Sequence, residues 1–220
     1  MKPVIFCDFD GTITKNDNII EIMKQFAPPE WEELKNQVLN RTISVKEGVG
    51  KMFSLLPSSK REEITAYVLN QAEIREGFIE FAAYAKEQKI ELYIVSGGID
   101  FFVHPLLTSQ IEQQKIYCNE ADFYGEQILI QWPHPCDADS GCEMECGCCK
   151  PSIIRGIASA DQEIIVIGDS VTDLEAAKMA DLVIARDYLL DKVKEQHLSF
   201  EPFETFHDVV SILEKRRVSV

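Results

Sequence analysis

The sequence predicts an α/β fold, in which a mostly parallel sheet carries a small bundle of helices inserted after its first strand. Four short runs rich in apolar residues predict the sheet, because strands covered on both faces read this way. These runs are residues 4–7, 91–95, 163–167 and 182–185. A second observation predicts the bundle: residues 15–80 repeat apolar side chains every three or four positions, which is typical of helices.

The first strand ends at two carboxylates, Asp8 and Asp10, followed by Gly11, which allows a sharp turn. Side chains two positions apart on an extended segment point the same way, so both carboxylates face one pocket. Two like charges there are costly unless a cation lies between them or one carboxyl keeps its proton. An acidic pair at the end of a strand more often only caps or solvates a loop. This pair therefore indicates a reactive site only if other functional groups lie beside it.

Residues 15–80 are predicted to form a cap of four helices, whereas residues 1–14 and 81–220 form the core. Pro28 and Pro29 end the first helix, and the patterns starting at Ser44 and Ser59 predict capping boxes. Most apolar residues here are expected to form the bundle's own core, with some apolar surface over the site. The candidate substrate contacts in the cap are Asp17, Asn18, Met23, Phe26, Met52 and Phe53.

Three further groups follow later strands in chain order. Ser96 and Gly97 offer a hydroxyl and an amide for a phosphate, and Lys150 stands at a loop-to-helix junction. Asp169 and Asp173 are candidate ligands for a hard cation. Each of these alone reads as a helix cap or a surface charge. Together they match the rule that open α/β sheets bind ligands beyond the carboxyl ends of their strands.

The four motifs resemble those of the haloacid dehalogenase superfamily of phosphohydrolases, over about residue 3 to residue 190. They are Asp8-x-Asp10-Gly11-Thr12, Ser96, Lys150 and Gly168-Asp169-x-x-x-Asp173. The resemblance implies a Rossmann-like core. A closer resemblance, to the phosphatases of methionine salvage, rests on residues 12–14, Asp17, Asn18, residues 96–103 and the cysteine-rich approach to Lys150.

The resemblance also implies catalytic roles. Asp8 is expected to attack phosphorus and form an aspartyl-phosphate, and Asp10 to act first as acid and then as base. Mg²⁺ is expected to be held by Asp8, the backbone carbonyl of Asp10, and Asp169. An acid at position 10 favours a phosphatase or mutase over a phosphoryl-transfer ATPase, since those carry threonine there.

The phosphoryl oxygens are expected to be bound by Lys150, Ser96 and the amide of Gly97, while Asp173 orients water and Lys150. Among enzymes, the second candidate activity is that of a phosphoserine phosphatase, and a phosphomutase is a more distant alternative. Two readings outside this class stay open: a phosphate-binding regulatory module, and a protein whose cysteine-rich loop makes it chiefly a metal-binding or redox protein.

The segment from 115 to 149 is predicted to carry an inserted hairpin, within residues 115–132, and then a cysteine-rich loop. That loop holds five of the chain's seven cysteines: Cys136, Cys142, Cys146, Cys148 and Cys149. Their spacing lacks the paired knuckles of a convincing zinc site. A structural metal, disulfides formed on oxidation and thiols that only pack the loop therefore remain three alternatives. Helices at 187–196 and 205–217 complete the core.

Charge and hydropathy limit the partners. The 220 residues include 22 Lys and Arg against 37 Asp and Glu, so the net charge is −15. Extended nucleic-acid binding needs clustered cations, so we expect no nucleic-acid partner. No apolar run approaches the length of a membrane span, and no signal-type segment opens the chain, so we expect a soluble, cytoplasmic protein. The resemblance implies that its partner is a small phosphorylated metabolite. The sequence makes no prediction of oligomeric state.

Overall fold

A seven-stranded sheet forms the centre of the computed structural model, which describes residues 2–138 and 145–218. The strands are β1 (Lys2–Cys7), β2 (Glu91–Ile99), β3 (Ile116–Asp122), β4 (Leu129–Gln131), β5 (Gln162–Gly168), β6 (Leu182–Ala185) and β7 (Phe200–Pro202). Their spatial order is β4-β3-β2-β1-β5-β6-β7, and every pairing is parallel except β3 with β4. The predicted α/β class is confirmed, and β7 is a strand that the sequence did not predict.

Helices cover both faces of the sheet. They are α1 (Asn18–Phe26), α2 (Trp31–Leu39), α3 (Val45–Ser54), α4 (Arg61–Gln71), α5 (Phe78–Glu87), α6 (Asp100–Leu107), α7 (Lys150–Ile157), α8 (Leu174–Ala177), α9 (Asp187–Glu195) and α10 (Phe206–Val218). Alternate residues of β1 enter different cores: Ile5 joins the core that includes α5 and α10, whereas Val4 joins the one beneath α7. A strand buried on both faces is the reason β1 reads as apolar throughout. Within the described residues, no helix is long and apolar enough to cross a membrane.

The buried side chains of helices α1–α4 form a core that is continuous with the core beside the sheet, and the division into cap and core domains stays a prediction. These side chains belong to the same hydrophobic cluster as Ile5 of β1 and Phe102 of α6. Phe53 of α3 packs edge-on against Phe101 of α6, with 6.3 Å between ring centroids. The apolar stripe of these helices is therefore buried against the core of the protein as well as within the bundle.

The segment predicted as an inserted hairpin is partly a strand of the main sheet. β3 pairs in parallel with β2, and only the short β4 is an antiparallel addition. The connection between β3 and β4 is hydrogen-bonded to the cap: the amide of Ser58 donates to the carbonyl of Glu126, and that of Ile128 donates to Leu56. These bonds fix one edge of the helical segment to the sheet.

The first of the two predicted capping boxes is present only as an N-cap: among the described residues, no hydrogen bond joins the Glu47 side chain to the Ser44 amide, and Glu47 instead accepts from Lys51. Ser44 caps α3 and accepts a hydrogen bond from the amide of Glu47 at 3.1 Å. The pattern at Ser59 is not used in this way, because residues 58–60 form a 3₁₀ turn and α4 begins at Arg61 without a side-chain cap.

Candidate active site

Asp8 and Asp10 lie just beyond the carboxyl end of β1, the central strand of the sheet. The side chain of Asp8 is buried, and its Oδ1 accepts hydrogen bonds from the amide of Phe9 at 2.8 Å and from Nζ of Lys150 at 2.9 Å. Among the described residues, no donor contacts the other oxygen, Oδ2. Burial, reinforced by the carboxylate of Asp173, raises the pKa of Asp8 well above its usual value, although Lys150 opposes the shift.

Asp10 faces the cap through one oxygen only. Its Oδ1 accepts two hydrogen bonds from Asn18, one from the backbone amide at 3.0 Å and one from Nδ2 at 2.6 Å. Its Oδ2 faces β2, since a Cβ added to Gly98 would lie 2.9 Å from it. Burial raises the pKa of Asp10 to about 7, and the negative charge of Asp17 adds to the shift. The group is thus suited to exchanging a proton near neutral pH.

The turn after Asp10 brings Asp169 to the same site. Gly11 adopts a positive φ of +81°, and an added Cβ would lie 2.4 Å from Oδ2 of Asp169, so only glycine fits this position. Next to it, the hydroxyl of Thr12 donates to Oδ1 of Asp169 at 2.6 Å. Burial raises the pKa of Asp169 to about 6, with Asp173 contributing to the shift.

Lys150 and Asp173 form a buried ion pair beneath Asp8. Nζ of Lys150 bridges Asp8 and Asp173, and all three side chains are almost fully buried. Burial tends to lower the pKa of Lys150, but the carboxylates of Asp173 and Asp8 outweigh it, so the pKa is raised and the ammonium stays charged. Asp173 also accepts from the amides of Asp169 and Ser170 and from the Ser170 hydroxyl. Its oxygens are therefore occupied by protein donors.

Three carboxylates converge here: oxygens of Asp8, Asp169 and Asp173 all lie within 4.8 Å of one another. Such a cluster can hold a metal ion, and among the described residues it is the one group of three or more metal-ligating side chains this close together. The sequence had named Asp10, through its backbone carbonyl, as the third ligand in place of Asp173. The saturated contacts of Asp173 favour its predicted part in orienting Lys150.

Ser96 and Gly97 lie where β2 loses its register with β3. Val95 pairs with Tyr117 and Ile99 with Asn119, so four steps along β2 match only two along β3. The Ser96 hydroxyl is fully buried and accepts a hydrogen bond from the amide of Gly98 at 2.8 Å. Gly97 is exposed, and an added Cβ there would meet nothing within 4 Å, so it borders open space.

Arg75 is a site residue that sequence reasoning missed. It lies in the segment that connects α4 to α5, and its side chain is buried. The guanidinium donates to the carbonyls of Gly11 at 2.6 Å and Thr12 at 2.7 Å. It thereby holds the turn that carries Asp169's partner Thr12. No local pattern in the sequence marks it, because its partners lie more than sixty positions earlier in the chain.

Motifs from four distant parts of the chain meet at one edge of a parallel sheet. A comparison of the sequence with known families agrees with the resemblance that these motifs indicated. Residues 5–178 match the family of haloacid dehalogenase-like hydrolases. The chain belongs to this family.

Individual relatives narrow the resemblance. The hydrolase is 59% identical to a 2-hydroxy-3-keto-5-methylthiopentenyl-1-phosphate phosphatase of Geobacillus thermodenitrificans, over 98% of this chain and 97% of that protein. It is 55% identical to a phosphatase of the same name from Bacillus velezensis, over 96% of this chain and 90% of that protein. The predicted enzyme class is confirmed: the protein is a hydrolase of phosphoric monoesters.

Solved structures agree on the fold. A phosphoserine phosphohydrolase-like protein from Francisella tularensis superimposes with a TM-score of 0.68 and 22% identity, covering 96% of this chain and 99% of that one. At this identity the similarity establishes the shared architecture and leaves the substrate to other evidence.

Several cap residues of the hydrolase are engaged within the protein. Asn18 is buried and donates to Asp10 and to the hydroxyl of Thr14, while Asp17 caps α1 through the amide of Ile20. The three candidates Met23, Met52 and Phe53 are at most 4% exposed and lie in the main core. Phe26 is half-buried against Tyr67. A contact of any of them with substrate stays a prediction.

The cysteine-rich loop supports the start of α7. Cys146, Cys148 and Cys149 are buried, and the amide of Cys149 donates to the carbonyl of His134. Burial raises the pKa of Cys148 to about 12. Cys136 is half-buried, and Cys142 lies outside the described residues. The choice between metal, disulfide and packing stays a prediction for this loop.

Proposed function

We propose that this hydrolase removes the phosphate from 2-hydroxy-3-keto-5-methylthiopentenyl-1-phosphate, giving 1,2-dihydroxy-3-keto-5-methylthiopentene in L-methionine salvage. One observation carries the proposal: Asp8, with one carboxylate oxygen that no donor contacts among the described residues, stands in a chain 59% identical over almost its whole length to a phosphatase named for this substrate. The reaction requires Mg²⁺, and the enzyme acts in the cytoplasm on this small metabolite.

The side chains around Asp8 fit a hard divalent cation. Oδ2 of Asp8 and Oδ2 of Asp169 have no donor among the described residues, and the pKa of both carboxyl groups is raised by burial and by neighbouring negative charge. Carboxylate and carbonyl oxygens are the ligands that Mg²⁺ prefers, so Asp8, Asp169 and the backbone carbonyl of Asp10 would hold it. When bound, Mg²⁺ offsets the repulsion between the carboxylate nucleophile and the phosphate.

Asp8 is the nucleophile. One carboxylate oxygen of Asp8 attacks phosphorus while the other would hold Mg²⁺, and the hydrogen bonds that Phe9 and Lys150 donate to Oδ1 orient the carboxylate. Attack breaks the bond from phosphorus to the leaving oxygen and forms an aspartyl-phosphate, which divides a slow hydrolysis into two faster steps. Lys150 keeps its positive charge beside the reacting oxygens and is held in place by Asp173.

Asp10 is the acid in the first step and the base in the second. Asn18 occupies Oδ1 with two donated hydrogen bonds, so the proton resides on Oδ2, on the side of β2 and the phosphate cradle. Asp10 gives this proton to the leaving oxygen, then takes one from the water that hydrolyses the aspartyl-phosphate. A pKa of about 7 serves both directions near neutral pH.

The substrate's methylthio end needs no charged partner, which fits a site whose buried cations are already engaged. Among the described residues the buried cations are Lys150 and Arg75, and both are engaged, by carboxylates and by backbone carbonyls respectively. An amino-acid substrate such as phosphoserine requires charged partners for its ammonium and carboxylate groups. This contrast, together with the 59% identity, favours the methionine-salvage phosphate over phosphoserine, the second candidate.

The test is phosphate release from a panel containing the methionine-salvage phosphate and phosphoserine, with Mg²⁺ and with a chelator. We expect Mg²⁺-dependent release, highest for the first ester, and its loss in Asp8→Asn, which keeps the side chain's shape. Asp191→Asn makes the same chemical change on the exposed face of α9 and should leave the rate unchanged. Normal turnover by Asp8→Asn would overturn the assignment of Asp8 as the nucleophile. A preference for phosphoserine would overturn the proposed substrate.

A further inference from the structure

Asn119 of β3 is a buried polar residue that contacts the phosphate cradle from behind. Its side chain is fully buried, and Nδ2 donates to the carbonyl of Gly97 at 2.9 Å. This contact lies within the break in register, where β2 carries two more residues than β3 between matched pairs. The carboxamide of Asn119 therefore supplies a donor for a carbonyl at a point where the regular strand pairing is interrupted.

The contact extends to the hydroxyl of Ser96 through one peptide group. The carbonyl of Gly97 and the amide of Gly98 belong to the same planar unit, so holding the carbonyl also sets the direction of the amide. That amide donates to Oγ of Ser96 at 2.8 Å. A serine hydroxyl has one donor hydrogen and two acceptor positions. Oγ accepts from Gly98, and among the described residues no hydrogen bond donated by Oγ is present, so its hydrogen is available to donate elsewhere.

Packing does not explain an asparagine at this position. Within the described part of the chain, Oδ1 of Asn119 is buried and has no hydrogen-bond donor. A buried acceptor without a partner destabilises a fold, whereas an apolar side chain of similar size would fill the same space without this cost. A costly polar group that acts on a functional segment indicates selection for its contact with that segment.

We propose that Asn119 is a positioning residue: it fixes the Gly97–Gly98 peptide so that the Ser96 hydroxyl donates its hydrogen to a phosphoryl oxygen. Asn119 itself does not touch the substrate. The inference rests on the proposed function, because it takes the phosphoryl group to lie beside exposed Gly97, where an added Cβ would meet open space. It adds to that function the requirement that the cradle be held from β3.

The experiment is a double-mutant cycle between Asn119→Leu and Ser96→Ala, measured as kcat/KM for the preferred ester. Each single variant should lose about 10- to 100-fold, because each removes or misdirects one donor to the transition state. The double variant should fall within about threefold of Ser96→Ala alone, since both changes remove the same interaction. Asn119→Leu should melt at or above the wild-type temperature.

Two controls separate positioning from stability. Asn119→Met also lacks the donor and is flexible enough to fill the same space, so it should lose activity as Asn119→Leu does, and it stands in if the leucine variant does not fold. Ile116→Val trims a buried side chain on the same strand and should lower the melting temperature while leaving kcat/KM unchanged. Wild-type kinetics in Asn119→Leu, or additive losses in the double variant, would overturn the inference.

Binding of inorganic phosphate, measured by calorimetry, repeats the cycle without turnover. We expect weaker binding in Asn119→Leu and no further weakening when Ser96→Ala is added. If the wild type hydrolyses no ester, the proposed function fails, and phosphate binding then decides the inference separately: equal affinity in wild type and Asn119→Leu would overturn it.

Discussion

Replacing Gly11 by alanine should disturb the acidic site more than any other single methyl group. Gly11 has a φ of +81°, a left-handed conformation that costs about 1–2 kcal/mol for a residue with a Cβ. The new Cβ would also lie 2.4 Å from Oδ2 of Asp169, whereas ordinary contacts begin at 3.4 Å. The carboxylate must therefore move by about 1 Å, and a displacement of that size in an active site can cost about 100-fold in rate.

We therefore expect Gly11→Ala to lower the free energy of unfolding by about 1–3 kcal/mol, since the hydrogen bond from Thr12 to Asp169 is strained as well. For a chain of this size that lowers Tm by about 2–12 °C. The rate of phosphate release should fall about 100-fold, and half-maximal activity should need more Mg²⁺. Urea denaturation of the metal-free protein and initial rates across a Mg²⁺ series measure these effects.

Gly156→Ala is the matched control, because it adds the same methyl group on α7 where a Cβ meets nothing within 4 Å. Alanine is the better helix former, so this variant should gain about 0.4–1 kcal/mol and keep its activity. If Gly11→Ala retains wild-type stability, rate and Mg²⁺ dependence, the argument that Asp169 occupies the only space beside the turn is refuted.

Three further predictions concern charge and burial. In metal-free protein, the raised pKa values of Asp10, about 7, and Asp169, about 6, mean that folding takes up protons, so stability should fall as pH rises from about 4 to 7. Melting temperatures measured in chelator at a series of pH values test this, and a melting temperature that does not change with pH in the absence of metal would contradict it. Added Mg²⁺ should reduce the pH dependence, because carboxylates that bind the metal are deprotonated. Arg75→Met should cost about 2–4 kcal/mol in urea denaturation, because two backbone carbonyls lose their donor, whereas the exposed Arg41→Met should cost less than about 0.5 kcal/mol. Burial raises the pKa of Cys148 to about 12, so this thiol should resist iodoacetamide in the folded protein and react only in denaturant. Peptide mass spectrometry measures the labelling, and labelling of Cys148 in the native protein would disprove its burial.

Much of the site was predictable because its residues lie at or just beyond the carboxyl ends of strands. In a parallel sheet all carboxyl ends meet at one edge, so Asp8, Ser96 and Asp169 converge whatever lies between them in sequence. Local rules also sufficed for the helix N-cap at Ser44. They failed at Ser59, where the backbone joins the β3–β4 connection through Ser58 and forms a 3₁₀ turn, so a tertiary contact overrode the local pattern.

The sequence by itself determined the fold class and the chemical groups of the site, because apolar periodicity and the carboxyl ends of strands are local features. Only the tertiary structure decided how those groups are held. Arg75 donates hydrogen bonds to the turn after β1, which lies 63 positions earlier in the chain. Asn119 donates to Gly97 across a break in register. Asn18, predicted as a substrate contact in the cap, donates to Asp10. Such contacts depend on side chains brought together by packing, and no periodicity in the sequence records which distant residues will meet.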